Sequence, residues 1–214
     1  MKLSVGTSGY SYKEWKGPFY PEKIKPADML SFYAERLGAV EINNTFYRMP
    51  KKNVLESWAE KVPAGFRFSI KASRRITHFK RLKGVEEELG FLLGNTEVLG
   101  DRLGVVLFQL PPNLACDLDR LDAFLAMLPE QTPAAFEFRH ASWHDEAVYD
   151  RLRARNLALV AADTGDEDAT PLVPTADWTY LRLRRSDYDR ADLARWACEI
   201  RGHGFREAFV FFKH

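Results

Sequence analysis

Cysteine is almost absent from this sequence of 214 residues: Cys116 and Cys198 are the only two, and they are far apart. They form no CxxC pair, which argues against a disulfide framework and against a zinc knuckle. Apolar runs are short as well, well below the roughly 18 residues that a membrane span needs. The first residues, MKLSVGTSGY, lack the apolar core of a signal peptide. These absences predict a cytoplasmic protein with no membrane segment.

An excess of charge of either sign is also missing. The formal net charge is +1, so global charge indicates neither a nucleic-acid partner nor a membrane surface, and any such signal must be local. The sequence has no low-complexity segment and no linker rich in proline, glycine or serine. We therefore expect a single domain over residues 1–214.

Short β-rich runs alternate with amphipathic helical patterns along the chain. Strands are predicted at residues 3–8, 39–43, 66–71, 103–110, 134–139, 157–163, 178–184 and 208–213. Helices are predicted at residues 26–37, 51–62, 84–99, 117–128, 145–155 and 189–202. This alternation predicts an α/β protein with a parallel sheet, which is either open and doubly wound or closed into a barrel.

The two faces of the strands decide between these arrangements. Phe136 and Phe138 alternate with Glu137 and Arg139, whereas a strand of an open sheet covered on both sides reads as a continuous apolar run. Apolar residues under helices and polar residues at the mouth are typical of a TIM (β/α)8 barrel. The absence of a GxGxxG after a strand also weakens the dinucleotide-binding alternative.

One part of the barrel pattern is missing. The sequence ends directly after the eighth predicted strand, without a final helix. We therefore expect either a truncated chain or an uncovered flank on strands 1 and 8, and an uncovered apolar flank would suit a partner.

Several phrases occur in a fixed order from the first strand to the last: VGTSGYSYKEWKGPFYPE, VEINNTFYRMP, FRFSIKASRRITH, GVVLFQLPP, AFEFRHASW, AADT and TYLRLR. Together they resemble the family called domain of unknown function 72, the YecE-like proteins. The resemblance implies a TIM-barrel fold, and usually a closing helix that this sequence lacks. It implies no established activity, although a likeness of some relatives to endonuclease-type barrels suggests nucleic acid as a candidate substrate.

Carboxylates at the ends of the predicted strands are the candidates for proton transfer, because TIM-barrel active sites lie at the carboxyl ends of the strands. Glu41 and Glu137 could act as general acid and base if the site desolvates one of them. Asp163, at the end of the sixth strand, is a third candidate catalytic residue. Glu137 has a structural alternative, since it could simply pair with Arg139 inside the barrel.

Cationic and polar side chains at the same ends are the candidates for substrate binding. Lys71, Arg139, Arg182 and Lys213 would converge as a cationic floor for an anion, with arginine suited to bidentate phosphate or carboxylate contacts. The full set of candidate binding residues is Tyr10, Asn43, Tyr47, Lys71, His78, Gln109, Arg139, His140, Trp143 and Arg182.

Metal and covalent chemistry receive less support. Of five histidines, only His78, His140 and His144 fall near the predicted mouth, where the surrounding cations would oppose a divalent ion. We therefore predict no metal site, and the sequence indicates no particular cofactor. Nucleophilic catalysis of the hydrolase type lacks a GxSxG.

Three functions remain open. The first is an enzyme acting on a phosphorylated or otherwise anionic small molecule at the mouth of the barrel. The second is a nucleic-acid binding or processing protein that uses the basic loop 71–83, which has no acidic residue, opposite the aromatic residues of the first loop. The third is a metabolite sensor without catalysis, because a fold alone does not set function. The oligomeric state is not predicted.

Overall fold

The computed structural model describes residues 1–165 and 169–213 and contains a closed barrel of eight parallel strands, in sequence order. The prediction of a TIM barrel is thus confirmed. The strands are β1 Lys2–Ser8, β2 Ala39–Ile42, β3 Arg67–Lys71, β4 Leu103–Gln109, β5 Ala134–Glu137, β6 Ala158–Asp163, β7 Trp178–Leu183 and β8 Glu207–Phe212.

The α-helices surround the barrel where the sequence predicts them, although α1 is much shorter than its pattern. They are α1 Met29–Ala34, α2 Lys52–Glu60, α3 Glu86–Thr96, α4 Leu118–Met127, α5 Glu146–Ala154 and α6 Arg190–Gly202. Aspartates cap three of them: the side chains of Asp117, Asp145 and Asp189 accept hydrogen bonds from backbone N–H groups in the first turns of α4, α5 and α6. Such caps stabilise a helix start by about 1 kcal/mol.

The outward face of the strands forms the main core with the helices. Phe136 packs against Phe124 of α4 with the ring centroids 6.1 Å apart, and it stacks on Phe108 of β4. Phe136 and Phe138 are both buried in this layer, as the alternation in β5 predicts. Because side chains alternate along a strand, Glu137 must point the opposite way, into the barrel.

The inward face forms a second, smaller core. Its buried residues come from strands that are not neighbours, such as Ala39 of β2, Val105 of β4, Val160 of β6 and Phe209 of β8. Such residues can share contacts only across the barrel interior. The middle of the interior is therefore filled with apolar side chains. Arg67 and Glu207 lie at the amino ends of the strands, and a larger polar group lies at the carboxyl ends.

The flank formed by β1 and β8 is covered unequally. Ala208 and Val210 of β8 are buried under a cluster that includes Trp196 and Ile200 of α6. Leu3 at the start of β1 is 54% exposed. The predicted uncovered flank is therefore found at the start of β1 and not along β8.

Candidate functional site

A buried ion network lies at the carboxyl ends of the strands and spans the barrel. Arg182 of β7 donates from Nη1 to Glu137 Oε2 of β5 at 2.6 Å and from Nη2 to Glu41 Oε1 of β2 at 2.9 Å. Arg182 is 2%, Glu137 5% and Glu41 0% exposed. One arginine thus bridges two carboxylates that are far apart in sequence, and Glu137 pairs with Arg182 instead of Arg139.

Glu41 is also surrounded by hydrogen-bond donors. Its Oε1 accepts from Ser8 Oγ and from Asn43 Nδ2, both at 2.8 Å, and its Oε2 accepts from the Tyr180 hydroxyl at 2.7 Å. The Tyr180 hydroxyl is in turn 2.7 Å from Ser69 Oγ. Because a carboxylate with several donors is strongly favoured in its ionised form, these contacts hold Glu41 as an anion.

The electrostatics of the network follow from two opposed effects. Burial alone would raise the pKa of both carboxyl groups, but the Arg182 charge and the hydrogen bonds outweigh it. The pKa of Glu41 is lowered to about 2, and the pKa of Glu137 is also lowered. Burial disfavours the charged form of Arg182 and alone would lower its pKa. The two carboxylates outweigh burial, and the pKa of this guanidinium group is raised. All three groups are therefore charged at neutral pH.

This network predicts a loss of stability in acid. The folded-state pKa of Glu41 lies below its ordinary 4.5, so ionised Glu41 stabilises the fold above pH about 4.5, and the contribution disappears as the pH falls toward about 2. The full contribution is on the order of 3 kcal/mol. Urea unfolding gives the free energy of unfolding at pH 7 and at pH 3 for each protein. The difference between the two pH values should be about 2 kcal/mol smaller in Glu41→Gln than in the wild type. An equal pH dependence in both proteins would contradict this assignment.

A cavity of about 360 Å³ opens above the network at the barrel mouth. It is lined by five cationic side chains, together with aromatic rings and small polar groups. The lining residues are Ser8, Tyr12, Asn43, Phe46, Tyr47, Lys71, Gln109, Glu137, Phe138, Arg139, Ala162, Thr164, Thr170, Arg182, Arg184 and Lys213. The size suits a small molecule.

Positive charge exceeds negative charge at this cavity. Both carboxylates at its base, Glu41 and Glu137, are bound to Arg182. Lys71, Arg139 and Arg184 form no ion pair with a carboxylate among residues 1–165 and 169–213. The predicted cations Lys71, Arg139, Arg182 and Lys213 all line this cavity, together with Arg184, but Arg139 and Lys213 are exposed at its rim and do not form a floor.

Three buried polar atoms at the cavity have no hydrogen-bond partner in the described part of the chain: Thr164 Oγ1, Arg182 Nε and Arg184 Nη1. Buried donors are nearly always paired in folded proteins, and an unpaired one costs about 1–3 kcal/mol. Two of these atoms belong to guanidinium groups, which can only donate. These unpaired atoms are nearly inaccessible to solvent, so they are buried within the cavity wall and are not exposed to its interior.

Most of the predicted site residues meet at this cavity. Glu41 is directly beneath it and bonded to Arg182. The predicted residues that line it are Asn43, Tyr47, Lys71, Gln109, Glu137, Arg139 and Arg182. Arg139 lies beyond the end of β5 and is exposed at the rim, because the strand stops at Glu137, two residues earlier than predicted.

Five predicted residues lie away from the cavity lining. Asp163 Oδ2 accepts from Trp196 Nε1 of α6 at 3.3 Å, because Ala162 takes the inward position in β6. Trp143 is fully buried, stacks on Phe138 with centroids 4.6 Å apart, and donates to the Leu114 carbonyl.

Tyr10, His78 and His140 also have structural contacts. Tyr10 packs against the main core. His78 packs edge-on against Phe46 at 4.8 Å between centroids, and burial and the nearby Lys71 charge lower its pKa. His140 Nδ1 accepts from the Ser142 N–H at 3.2 Å and caps a short 3-10 turn.

Several cavity residues are absent from the predicted set. Arg184 lines the cavity, and Tyr180 belongs to the buried network beneath it. Both share the inward face with Arg182, so their spacing of two residues is a signal that could identify them. Tyr12, Thr164 and Thr170 lie in loops or an isolated bridge, and Phe46 ends a short 3-10 turn. No periodicity marks the direction of a side chain in such segments.

The basic loop 71–83 is partly folded onto the barrel. Residues Arg75–Phe79 form one turn of π-helix, and Ile76 and Thr77 within it are buried. The Arg74 guanidinium lies over the rings of Tyr47 and Phe79, at 5.4 and 5.1 Å from their centroids. Lys80 is paired with Glu88 at 2.8 Å.

Metal-binding clusters and membrane-spanning helices are both absent from the described residues. Within residues 1–165 and 169–213, no group of three or more His, Cys, Asp or Glu side chains is arranged to hold a metal ion. No helix in the described ranges is long and apolar enough to cross a bilayer.

The closed barrel, with its polar groups gathered at the carboxyl ends of the strands, defines a TIM-barrel protein with a candidate site at the mouth. The chain belongs to the family described as protein of unknown function DUF72, which it matches over residues 4–214. This match confirms the resemblance noted in the sequence.

Relatives and solved structures agree with this membership. The UPF0759 protein YecE of Escherichia coli strain K12 is 30% identical over 129 residues, which are 60% of this chain and 47% of YecE, so the alignment spans about half of that relative. A DUF72 family protein from Thermotoga maritima MSB8 superposes with a TM-score of 0.84 at 28% identity, over 100% of this chain and 92% of that one. A DUF72 family protein from Enterococcus faecalis V583 gives a TM-score of 0.81 at 19% identity, over 99% and 88% of the two chains, a likeness of fold alone.

Proposed function

We propose that the protein is an enzyme that acts on a small anionic molecule, with a phosphate or carboxylate group, bound in the mouth cavity. The observation that carries this proposal is the excess of positive charge at one cavity, because Lys71, Arg139 and Arg184 line it without an ion-pair partner among the described residues and both nearby carboxylates are bound to Arg182. Oxyanions are the ligands that guanidinium groups bind most strongly, often through two parallel hydrogen bonds.

The buried network supports this role by fixing the binding groups. Arg182 is bonded on both Nη atoms, so the orientation of its guanidinium group is fixed. Pre-organised donors in a site of limited solvent access stabilise charge without reorganisation during a reaction. We assign Glu41 and Glu137 the role of positioning Arg182, because carboxyl groups with lowered pKa values hold no proton to exchange near neutral pH.

The cavity walls suit the organic part of such a substrate. Phe46, Tyr47, Phe138 and Tyr12 add rings to the lining, and Tyr47 is 67% exposed. Ligand pockets commonly combine apolar walls with a few polar groups that set orientation. The nucleic-acid and sensor functions stay predictions, and Arg74 and Lys80 of the basic loop already contact partners on the protein.

Isothermal titration calorimetry with inorganic phosphate and pyrophosphate tests the proposal. We expect binding with a submillimolar dissociation constant at low ionic strength, and weaker binding as salt is added, because screening reduces attraction between charges. Glycerol, which is uncharged, serves as the control and should give no heat of binding. Absence of binding by both anions would overturn the proposed function.

A further inference from the structure

Lys71 differs from the other cations at the cavity in its immediate contacts. It is the last residue of β3, and its Nζ donates to Gln109 Oε1 at 2.8 Å. The same Nζ lies 4.4 Å from the centroid of the Phe46 ring. Gln109 is held in turn by its own hydrogen bond from Nε2 to Glu137 Oε1 at 2.8 Å. The amine is therefore fixed at the cavity wall by a neutral amide and an aromatic face.

The charges around Lys71 favour loss of its proton. Arg182 and Arg184 of β7 face it across the cavity, whereas the two nearby carboxylates, Glu137 of β5 and Glu41 of β2, are both bound to Arg182. His78, in the loop after β3, adds no negative charge. Burial and the Arg182 charge lower the pKa of Lys71 to about 8. About one amine in ten is then neutral at pH 7.

A neutral amine in a cationic, partly desolvated site is a nucleophile toward carbonyl carbon. We propose that Lys71 forms an imine with an aldehyde or ketone group of the anionic substrate, an inference that rests on the proposed function above. The C–N bond forms as the carbonyl C–O bond breaks. An ammonium group and a carbonyl give a protonated imine and one water molecule, so atoms and charge balance without an oxidant, reductant or other co-reactant.

The two halves of the substrate would then occupy different sides of the cavity. Its anionic group would lie against the Arg184 guanidinium group just after β7, and its carbonyl carbon would face Lys71 at the end of β3. A protonated imine withdraws electrons from the neighbouring carbon. The inferred substrate class is therefore a carbonyl compound with a phosphate or carboxylate group, and the inferred reaction makes or breaks a bond next to that carbonyl.

Reductive trapping tests this inference on the whole chain. The probe is pyridoxal 5′-phosphate, an aldehyde with a phosphate group, and the matched probe is pyridoxal, which lacks the phosphate. After reduction with borohydride, mass spectrometry of the peptides measures the label on each lysine. We expect Lys71 to be labelled at least tenfold faster than Lys61, an exposed lysine bonded to the Ala27 carbonyl. Inorganic phosphate should slow the labelling, and the rate should rise with pH through a midpoint near pH 8.

The outcomes separate this inference from the proposed function. If phosphate binds in calorimetry but Lys71 is labelled no faster than Lys61, the imine inference is wrong and the anion site stands. If both probes label Lys71 equally fast and phosphate has no effect, Lys71 is a nucleophile and the anion site is wrong. If neither labelling nor anion binding is found, both are wrong. Lys71→Arg keeps the charge and should remove the label on that peptide alone.

Discussion

Replacing Arg182 by methionine is expected to lower the free energy of unfolding by roughly 3–5 kcal/mol, because it leaves two buried carboxylates without their counter-charge. Glu41 and Glu137 are almost fully buried, and each is bonded to this one guanidinium. Urea unfolding at pH 7 gives the measurement. The matched control is Arg206→Met, since Arg206 is exposed and pairs with Asp177 at 3.4 Å. A surface pair of this kind contributes less than about 1 kcal/mol.

A triple variant separates lost charge from lost packing at the same position. Combining Arg182→Met with Glu41→Gln and Glu137→Gln removes the two unpaired charges. We expect the triple variant to be more stable than Arg182→Met alone, although it contains two additional substitutions in the core. A triple variant less stable than the single one would show that Arg182 acts through packing, and the electrostatic account of the network would be wrong.

Replacing Arg184 by glutamine is expected to weaken pyrophosphate binding roughly tenfold to hundredfold. A hydrogen bond to a charged group contributes about 1.5–3 kcal/mol, and each 1.4 kcal/mol corresponds to a factor of ten in affinity. Arg184 has a buried Nη1 with no partner among the described residues. Calorimetry with wild-type protein and variant, in the same buffer, gives the ratio.

The neighbouring arginine provides a close control for this prediction. Arg185 differs by one position, but its guanidinium is bonded to Asp187 and Asp192 at 3.1 Å and it does not line the mouth cavity. Arg185→Gln removes the same charge from the same segment and should change pyrophosphate affinity by less than about twofold. Equal losses in the two variants would mean that only the overall charge of the protein matters.

The fold could be predicted because its signal is local and repeated. The alternation of Phe136 and Phe138 with Glu137 marks the two faces of β5, and the helices begin at aspartates that the structure uses as caps. Similar alternation in other strands placed Glu41, Lys71 and Arg182 at one mouth. These residues are found at or beneath the same cavity.

The rest of the site depends on contacts between distant parts of the chain. The partner of Glu137 is Arg182 of β7 and not Arg139, since β5 ends before Arg139 and leaves it at the rim. Asp163 follows a run of alanines in β6 that gives no indication of which side faces inward. Trp143 ends a short 3-10 turn, where burial against Phe138 is decided by tertiary packing.

Crystallography can show directly whether the mouth cavity binds an anion. Crystals soaked in tungstate would show the oxyanion as an anomalous-difference peak. We predict a peak inside the cavity, within hydrogen-bond distance of the Arg184 guanidinium group. An empty cavity at a concentration that saturates binding in solution, with tungstate found only on the protein surface, would contradict the account.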